Sequence, residues 1–381
     1  PANTILAAGG YLVVWCDSAT NTPGLHAGFA LGRNGETVSL FDPDSRRVDA
    51  LTFGLQVTDF SVGRLGDDWR LTAPTPGVAN VAAPLAPLTD LALNEWLADS
   101  PPGSEDWLEV YNRSDTAPVA LRGLYLSTGN ALNRYAALSF VGPQGHARFW
   151  ADERPGAQHL EFKLPAAGGL IALHDQTGAL FEEVGYGPQL EGVSQGRLPD
   201  GASNIASFPL TPTPGAANYL PLTTVVINEV LTHTDPPFED AVELHNPTDS
   251  PVQIGGWFLS DDADDPKRYR IADGTVLPAG GFMVFYQGQF GAADGEDDVP
   301  PLFSFNGAHG DAAVLSETDS AGNLTGWRAA QTFGAAIRGL SMGRHATIVG
   351  VDFVALSRPS LGVDDPTSLE HFRTGTGAPN A

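Results

Sequence analysis

Two clusters of acidic residues have the composition of a metal site. The first contains Asp261, Asp262, Asp264 and Asp265, and the second is the string Asp-Gly-Glu-Asp-Asp at 294–298. Ca²⁺ takes about six to eight oxygen ligands, and closely spaced carboxylates on a loop can supply them without a rigid cage. Neither cluster matches the EF-hand loop, and an acidic loop that only keeps a protein soluble has the same composition. The sequence therefore predicts a Ca²⁺ site at the first cluster or, as the alternative, a solvated acidic loop.

The sequence also contains one string typical of a serine nucleophile. Residues 192–196, Gly-Val-Ser-Gln-Gly, match the nucleophile elbow, which joins a strand to a helix. The chain shows no alternation of strands and helices, and the related string at 59–63 begins with aspartate. We therefore expect Ser194 to serve the fold. The arginine that follows each such serine is expected to pair with an acid, for example Glu95 or Glu229, because an arginine–carboxylate fork fixes orientation.

Glutamates and histidines recur at matching places rather than in catalytic groupings. Glu109 and Glu243 lie beside apolar residues in two alternating segments, and His245 stands where the other segment has Tyr111. The nine histidines include no His-Glu-x-x-His pattern. Because an active site is rarely needed in several copies on one chain, recurrence favours a scaffold role. The sequence predicts no catalytic residue and no enzyme activity, with the histidines packed as aromatics or placed at the surface.

The charge of the chain excludes several classes of partner. Its 381 residues include 45 acidic and 20 basic side chains, which gives a formal net charge of −25. Such a chain repels phosphate backbones and anionic lipids, so nucleic acid and membrane surfaces are not expected partners. No apolar run approaches the roughly 20 residues that span a bilayer, and no leader is evident before Pro1. Cys16 is the only cysteine, so stability is expected from packing, with or without a metal.

Three short motifs recur in the same order along the chain. They are Ser-x-Gly-Arg, Thr-Pro-Gly-x-Ala-Asn, and Asn-Glu inside an apolar run. Their spacing is that of whole domains, far above the roughly 20–50 residues of solenoid repeats, and indicates tandem copies of one unit. Their positions are 61–64, 194–197 and 341–344 for the first motif; 75–80, 213–218 and, in a looser form, 377–380 for the second; and 94–95 and 228–229 for the third.

The elements that carry these motifs are predicted to be strands. Apolar residues alternate with period two in short segments bounded by Gly, Pro or Asp, which indicates antiparallel β-sandwiches. Clear examples are 10–15, 37–41, 224–227 and 282–286. The repeats divide the chain into domains at 1–80, 88–218 and 222–381. Proline-bearing stretches at 81–87 and 219–222 are expected to act as semi-rigid linkers, giving an extended rod.

The ordered set of motifs resembles the lamin-tail domain family, an immunoglobulin-like sandwich found in nuclear lamins and, in many copies, in secreted bacterial proteins. Three further strings carry the resemblance: Glu-Leu-x-Asn at 243–246, Gly-Trp-x-Leu-Ser at 256–260 and Leu-Pro-Ala-Gly-Gly-Phe at 277–282. The middle copy departs from it at 141–146, where Val-Gly-Pro-Gln-Gly-His replaces the Pro-Ala-Gly-Gly turn. The resemblance covers nearly the whole chain and implies tandem immunoglobulin-like β-sandwiches from an extracellular or cell-surface protein, of bacterial origin.

The first copy is expected to lack its opening strands. Residues 3–11 align with 274–282, which lie well inside the third copy. A sandwich without those strands would expose its core and its strand edges. Two explanations stay open: the chain is a segment of a longer protein, or a neighbouring molecule donates the strands.

The function predicted from these observations is a non-enzymatic extracellular structural or adhesive scaffold, part of a surface assembly or filament. Its partners would be copies of itself or other protein subunits. The alternative is an accessory module of a larger secreted enzyme that binds carbohydrate or Ca²⁺. Trp69 and Trp327, in turn-rich stretches, are the tryptophans best placed for such a ligand, and no cofactor other than Ca²⁺ is suggested.

Overall fold

The chain is all-β, with multiple sheets that form immunoglobulin-like sandwiches, which confirms the predicted fold class. It divides into two compact units, 1–218 and 219–381. The acidic cluster at 294–298 and the loose motif at 377–380 lie outside the described residues. The structure, a computed structural model, describes residues 4–129, 131–234, 239–290 and 302–362.

The first unit begins with a segment, residues 4–87, that we call the N-terminal segment. It contains a hairpin of β1 and β2 and a separate sheet in the order β3-β4-β5, so β3 lies at an edge of that sheet. The Ser-x-Gly-Arg motif lies on β3. The strands are β1 (Glu36–Phe41), β2 (Arg47–Phe53), β3 (Ser61–Leu65), β4 (Asp68–Ala73) and β5 (Val81–Ala82).

The strand predicted at 10–15 is wrong. Apart from an isolated bridge between Trp15 and His26, these residues form no ladder, and Tyr11 and Trp15 are more than half exposed. The aligned strand of the second unit, residues 282–286, pairs with the strand at 241–245. In the part of the N-terminal segment that the structure describes, no strand offers the same pairing, so the alternating apolar pattern has no ladder to join.

The rest of the first unit is a sandwich that we call the middle sandwich. A single turn of 3₁₀ helix, Leu88–Asp90, precedes it. Its strands are β6 (Leu91–Leu97), β7 (Trp107–Asn112), β8 (Val119–Ala120), β9 (Tyr125–Ser127), β10 (Asn133–Arg134), β11 (Phe140–Val141), β12 (His146–Ala151), β13 (His159–Leu160), β14 (Gly169–His174), β15 (Leu180–Tyr186), β16 (Ser194–Arg197) and β17 (Ile205–Phe208).

The second unit is also a sandwich, with one turn of 3₁₀ helix at Gln287–Gln289. Its first strand includes residues that the sequence predicts as a linker. Its strands are β18 (Leu220–Pro221), β19 (Val226–Leu231), β20 (Ala241–His245), β21 (Val252–Gln253), β22 (Phe258–Ser260), β23 (Tyr269–Arg270), β24 (Val276–Leu277), β25 (Phe282–Tyr286), β26 (Asp311–Thr318), β27 (Leu324–Phe333), β28 (Met342–Thr347) and β29 (Gly350–Ala355).

The two sandwiches have the same strand order. One sheet of the middle sandwich contains β12-β7-β6-β16-β17 with β13 at its edge, and the second unit has β25-β20-β19-β28-β29. The opposing sheets are β10-β9-β14-β15 and β23-β22-β26-β27, the latter with β18 at its edge. In both units the Asn-Glu strand therefore lies between the Glu-x-x-Asn strand and the Ser-x-Gly-Arg strand.

Alternating side chains explain how these strands build a core. In β12, Ala147, Phe149 and Ala151 are buried while the residues between them are partly exposed. Phe149 packs with Leu108 and Ile171 from both sheets in the core of the middle sandwich. The second unit has its own core, which includes Trp257 and Phe290.

The N-terminal segment packs on the middle sandwich through a small third cluster. Leu71 of β4 packs with Leu138 and Phe140 of the middle sandwich. Main-chain hydrogen bonds join the same regions: the Gly54 N–H donates to the Leu138 carbonyl (3.0 Å), and the Phe140 N–H donates to the Leu55 carbonyl (2.9 Å). The segment therefore shares its core with the sandwich that follows it.

Candidate functional site

The recurring motifs meet around two buried glutamates in the middle sandwich. Glu95 of β6 lies opposite Glu109 of β7 on one side and Gly196 of β16 on the other. Both glutamates are fully buried. The Ser-x-Gly-Arg and Thr-Pro-Gly-x-Ala-Asn motifs supply hydrogen-bond donors to them. We call this arrangement of Asn94, Glu95, Glu109, Ser194 and Thr213 the carboxylate cluster.

A β-bulge allows two consecutive residues to enter the cluster. In a regular strand, neighbouring side chains point to opposite faces. The register between β6 and β7 shifts between Leu93 and Glu95, so Asn94 is the extra residue. Such a bulge changes where a side chain points. Asn94 Nδ2 donates to Glu109 Oε1 at 3.0 Å, beside the carboxyl group of its neighbour.

Glu95 accepts its hydrogen bonds from the two other motifs. Ser194 Oγ donates to Oε1 at 2.5 Å. The N–H and Oγ1 of Thr213 donate to Oε2 at 3.1 and 2.9 Å. Strand β16, which carries Ser194, and the segment after β17, which carries Thr213, are thus both hydrogen-bonded to β6.

Glu109 and Asn218 provide the remaining hydrogen bonds between the second motif and strands β6, β7 and β16. The Gly215 N–H donates to Glu109 Oε2 at 2.5 Å. Asn218 Nδ2 donates to the main-chain carbonyls of Asn94 (3.2 Å) and Arg197 (2.9 Å), and its Oδ1 lies 2.9 Å from Thr213 Oγ1. Every polar residue type in the second motif therefore has a partner in the cluster.

The second unit contains the same cluster. Glu229 accepts from Ser341 Oγ at 2.5 Å and from Ser360 Oγ at 2.6 Å, and Asn228 Nδ2 donates to Glu243 Oε1 at 2.7 Å. The register between β19 and β20 shifts at Asn228, as it does at Asn94. The Gly362 N–H donates to Glu243.

Ser360 and Gly362 hold the place of the second motif in this cluster. They make the contacts that Thr213 and Gly215 make in the middle sandwich, while the loose motif predicted at 377–380 lies outside the described residues. The local signal was Pro-Ser-x-Gly, which keeps the spacing of Pro-Thr-Pro-Gly but changes two residue types.

Burial sets the protonation of the middle cluster. Desolvation raises the pKa of Glu95 to about 7 and that of Glu109 to about 8, although their hydrogen-bond donors lower both values. His146 Nε2 lies 3.3 Å from Asp200 Oδ2 beside them. Burial lowers the pKa of His146, but Asp200 and Glu109 outweigh it and the net direction is upward. His146 and Asp200 were not identified from the sequence, because neither residue lies in one of the recurring motifs.

The arginine of the first motif does not pair with the glutamate of the Asn-Glu strand in the middle sandwich, so the predicted pairing with Glu95 is wrong. Arg197 Nη2 lies 2.5 Å from Glu182 of β15, and Arg197 Nε donates to the Leu93 carbonyl at 2.8 Å. Arg64 lies 3.4 Å from Asp49. Each of these arginines joins strands of two different sheets, since Glu182 and Asp49 lie on β15 and β2.

Ser194 is part of the carboxylate cluster. It is fully buried, and its Oγ donates to Glu95 rather than to a histidine. The equivalent Ser341 is 1% exposed and donates to Glu229. A serine whose hydroxyl is closed off from solvent and bound to a carboxylate inside a sheet has no route to a substrate.

The first acidic cluster surrounds an arginine. Arg268 Nη2 lies 3.0 Å from Asp262 and Arg268 Nε lies 3.2 Å from Asp265, while Arg268 Nη1 contacts Asp261. The Asp264 N–H donates to Asp262 Oδ1 at 2.9 Å. Among the described residues, no group of three or more His, Cys, Asp or Glu side chains is arranged to hold a metal ion. The Ca²⁺ site stays a prediction, and a Ca²⁺ ion there would compete with Arg268.

The aromatic residues divide into packed and exposed ones. His245 stacks on Phe282 at 4.3 Å, and the matching pair in the middle sandwich is Tyr111 with His146 at 4.9 Å, so His245 is packed as expected. Trp327, predicted to lie in a turn, is in β27 and is 40% exposed.

An open groove lies between the hairpin and the small sheet of the N-terminal segment. Its volume is about 640 Å³. Its lining is mostly apolar, and several of the side chains are substantially exposed to solvent. The apolar residues that line it are Leu31, Val38, Leu40, Ala50, Leu51, Phe53, Phe60, Val62 and Trp69.

Comparison with known families supports the resemblance for the second unit. Residues 221–331 match the model of the Lamin Tail Domain family, a family of immunoglobulin-like domains that are generally structural and not catalytic. This stretch contains Asn228, Glu229 and Glu243. Searches of curated proteins and of solved structures gave no match. In the described residues, no helix is long and apolar enough to cross a membrane.

Proposed function

We propose that the chain is a non-enzymatic structural module of an extracellular assembly, built from tandem lamin-tail-like sandwiches. The observation that carries this proposal is the open apolar groove of the N-terminal segment. Contiguous exposed apolar surface on a soluble protein is typical of protein–protein contact sites. Leu40 on β1, which lines the groove, is 62% exposed.

The carboxylate clusters support a structural role. Their serines, threonines and glutamates are the residue types that could act as nucleophiles or as acids and bases. In these clusters they form the hydrogen bonds that hold the last segment of each sandwich against its central strands. Buried polar groups that are fully hydrogen-bonded fix one arrangement of strands. The shared strand order and the two equivalent clusters support the assignment of the middle sandwich as a second lamin-tail-like copy.

The extracellular location follows from the resemblance to lamin-tail domains of secreted bacterial proteins. The accessory-module alternative has less support. Arg268 already forms ion pairs with three of the four carboxylates proposed for Ca²⁺, and Trp96, Trp107 and Trp257 are buried in cores.

Sedimentation velocity over a wide range of protein concentration tests this proposal. We expect reversible association of the full chain at high concentration, because the groove remains open on each molecule. The Val38→Asp substitution inside the groove should abolish it. Val48→Asp, on the same hairpin but outside the groove lining, is the matched control and should associate like the original chain. If all three proteins stay monomeric up to their solubility limits, the proposal fails.

A further inference from the structure

We propose that the open edge of β3 is the acceptor for a β-strand of another polypeptide, which pairs with β3 and brings a glutamate to Ser61 and Thr75. This inference rests on the proposed function and names the partner of the groove. The partner strand would have alternating apolar residues around Asn-Glu, like β6 and β19.

The first step is the free edge. In both sandwiches the Ser-x-Gly-Arg strand has two neighbours: β16 lies between β6 and β17, and β28 lies between β19 and β29. The equivalent strand β3 pairs only with β4 among the described strands. A strand edge with unpaired main-chain groups is a template for another strand.

The second step is the set of donors beside that edge. Asn80 Nδ2 donates to the Arg64 carbonyl at 3.0 Å, as Asn218 Nδ2 does to the Arg197 carbonyl at 2.9 Å. Thr75 Oγ1 lies 3.4 Å from Asn80 Oδ1, in the place of the pair formed by Thr213 and Asn218. The N-terminal segment therefore holds the half of the carboxylate cluster that comes from the second motif.

Ser61 completes this half. Its Oγ contacts Thr72 Oγ1 at 2.9 Å and donates to the Ala73 carbonyl at 3.2 Å within its own sheet. The equivalent Ser194 and Ser341 each donate to a glutamate on the adjacent strand. A rotation of the Ser61 hydroxyl toward β3's open edge would give the same contact.

The third step is exposure, which distinguishes this half cluster from the complete ones. Asn218 is 3% exposed, while Asn80 is an exposed residue. Ser61 and Val62 line the groove together with Phe60 and Trp69. An added strand would bury its apolar side chains in the groove and present its carboxylate to the polar residues, since alternate side chains of a strand point to opposite faces and a bulge at the asparagine adjusts them.

The probe is a synthetic peptide with the sequence of residues 89–113, which includes β6 and β7. Its binding to the full chain is measured by fluorescence anisotropy, below the protein concentration at which the chain self-associates. We expect saturable binding. The same peptide with Glu95→Gln should bind about tenfold more weakly, because the amide NH₂ would face the hydroxyl donors at a place where both carboxylate oxygens accept hydrogen bonds.

Two chain variants locate the peptide. Val38→Asp places a charge in the groove and should weaken binding about tenfold or more, whereas Val48→Asp should leave it unchanged. Both substitutions are at exposed or partly exposed positions of one hairpin, so a folding defect would be visible in both by circular dichroism.

Three results would overturn the inference: no saturable binding, equal binding of the glutamate and glutamine peptides, or equal binding to the two chain variants. The last would mean that the peptide exchanges into the middle sandwich. Concentration-dependent self-association that is lost in Val38→Asp, together with any of these results, would leave the proposed function standing and remove only the strand acceptor.

Discussion

At the scale of residues, Glu95 and Glu109 explain why several motifs recur together. They face each other on adjacent strands without exposed surface, an arrangement that costs free energy unless donors surround them. Asn94, Ser194 and Thr213 are those donors. Each polar residue of the motifs is a hydrogen-bond partner of another, which explains why the motifs recur together.

The pH dependence of stability follows from the same residues. Burial raises the pKa of Glu95 to about 7 and of Glu109 to about 8. A carboxyl group with a raised folded-state pKa stabilises the fold below its unfolded-state pKa, and this contribution is lost as the pH rises through the folded value. His146, also raised, acts in the same direction. We expect the melting temperature to fall by several degrees between about pH 5 and about pH 8.5.

Glu109→Gln is the control for this prediction. It keeps the shape and the hydrogen bond from Asn94 but removes one titrating group, so differential scanning calorimetry should show a weaker dependence on pH. An identical slope for both proteins would rule out Glu109 as a source. Below about pH 4 the exposed Asp175 acts with the opposite sign, since hydrogen bonds from Thr177 lower its pKa.

At the scale of elements, the close approach of a neighbouring strand requires the glycine of Ser-x-Gly-Arg. In the structure, a Cβ on Gly196 would lie 2.4 Å from the Asn94 carbonyl oxygen, on the strand that carries the cluster. A Cβ on Gly343 would lie 3.2 Å from the equivalent carbonyl of Asn228. Close contact between the strands, rather than backbone conformation, therefore excludes a side chain.

Gly196→Ala is predicted to destabilise the first unit by about 1–3 kcal/mol, because the added methyl group forces β6 and β16 apart. Chemical denaturation measures the change. Gly187→Ala is the matched control, since a Cβ there meets nothing within 4 Å, and it should change stability by less than about 0.5 kcal/mol. Equal effects of the two substitutions would contradict the close contact.

Trp257 tests the core of the second unit. It is 5% exposed and belongs to the buried cluster there, so Trp257→Ala should cost about 3–5 kcal/mol. Trp327, which is 40% exposed, supplies the comparison, and Trp327→Ala should cost clearly less. A melting shift of the same size for both would show that Trp257 is not a core residue.

Strands with strong alternation could be predicted from the sequence, and others could not. Residues 282–286 were recognised with their observed bounds, because the segment is rich in aromatic residues and follows a Gly-Gly pair. Residues 10–15 have the same pattern but no partner strand among the described residues. A period-two pattern predicts which face of a sheet each side chain would occupy. Whether the segment pairs at all depends on a partner strand far away in the sequence.

The candidate site was only partly predictable for a related reason. Recurrence identified the motif residues, because each copy needs the same contacts. It did not identify which residues touch, so Arg197 was assigned to Glu95 while Ser194 and Thr213 hold that glutamate. Asp200 and His146 lie outside the recurring motifs, so their place beside the cluster is evident only in the structure, where β12 and the segment after β16 lie next to it.

At the scale of the whole molecule, the carboxylate cluster occurs in three places, twice complete and once as a half. The middle sandwich and the second unit have complete carboxylate clusters, and the N-terminal segment has the half that includes Ser61 and Thr75. The net charge of −25 disfavours nonspecific association of copies, so contact through an apolar groove becomes selective.

Amide hydrogen exchange of the full chain tests this account most directly. Exchange is slow where a strand is paired on both edges inside a stable unit and fast where an edge is open. We predict strong protection of Ser194–Arg197 and Met342–Thr347 and weak protection of Ser61–Leu65, with protection of Ser61–Leu65 rising when the peptide of residues 89–113 is added. Protection of Ser61–Leu65 as strong as that of Ser194–Arg197 in the chain alone would contradict the account.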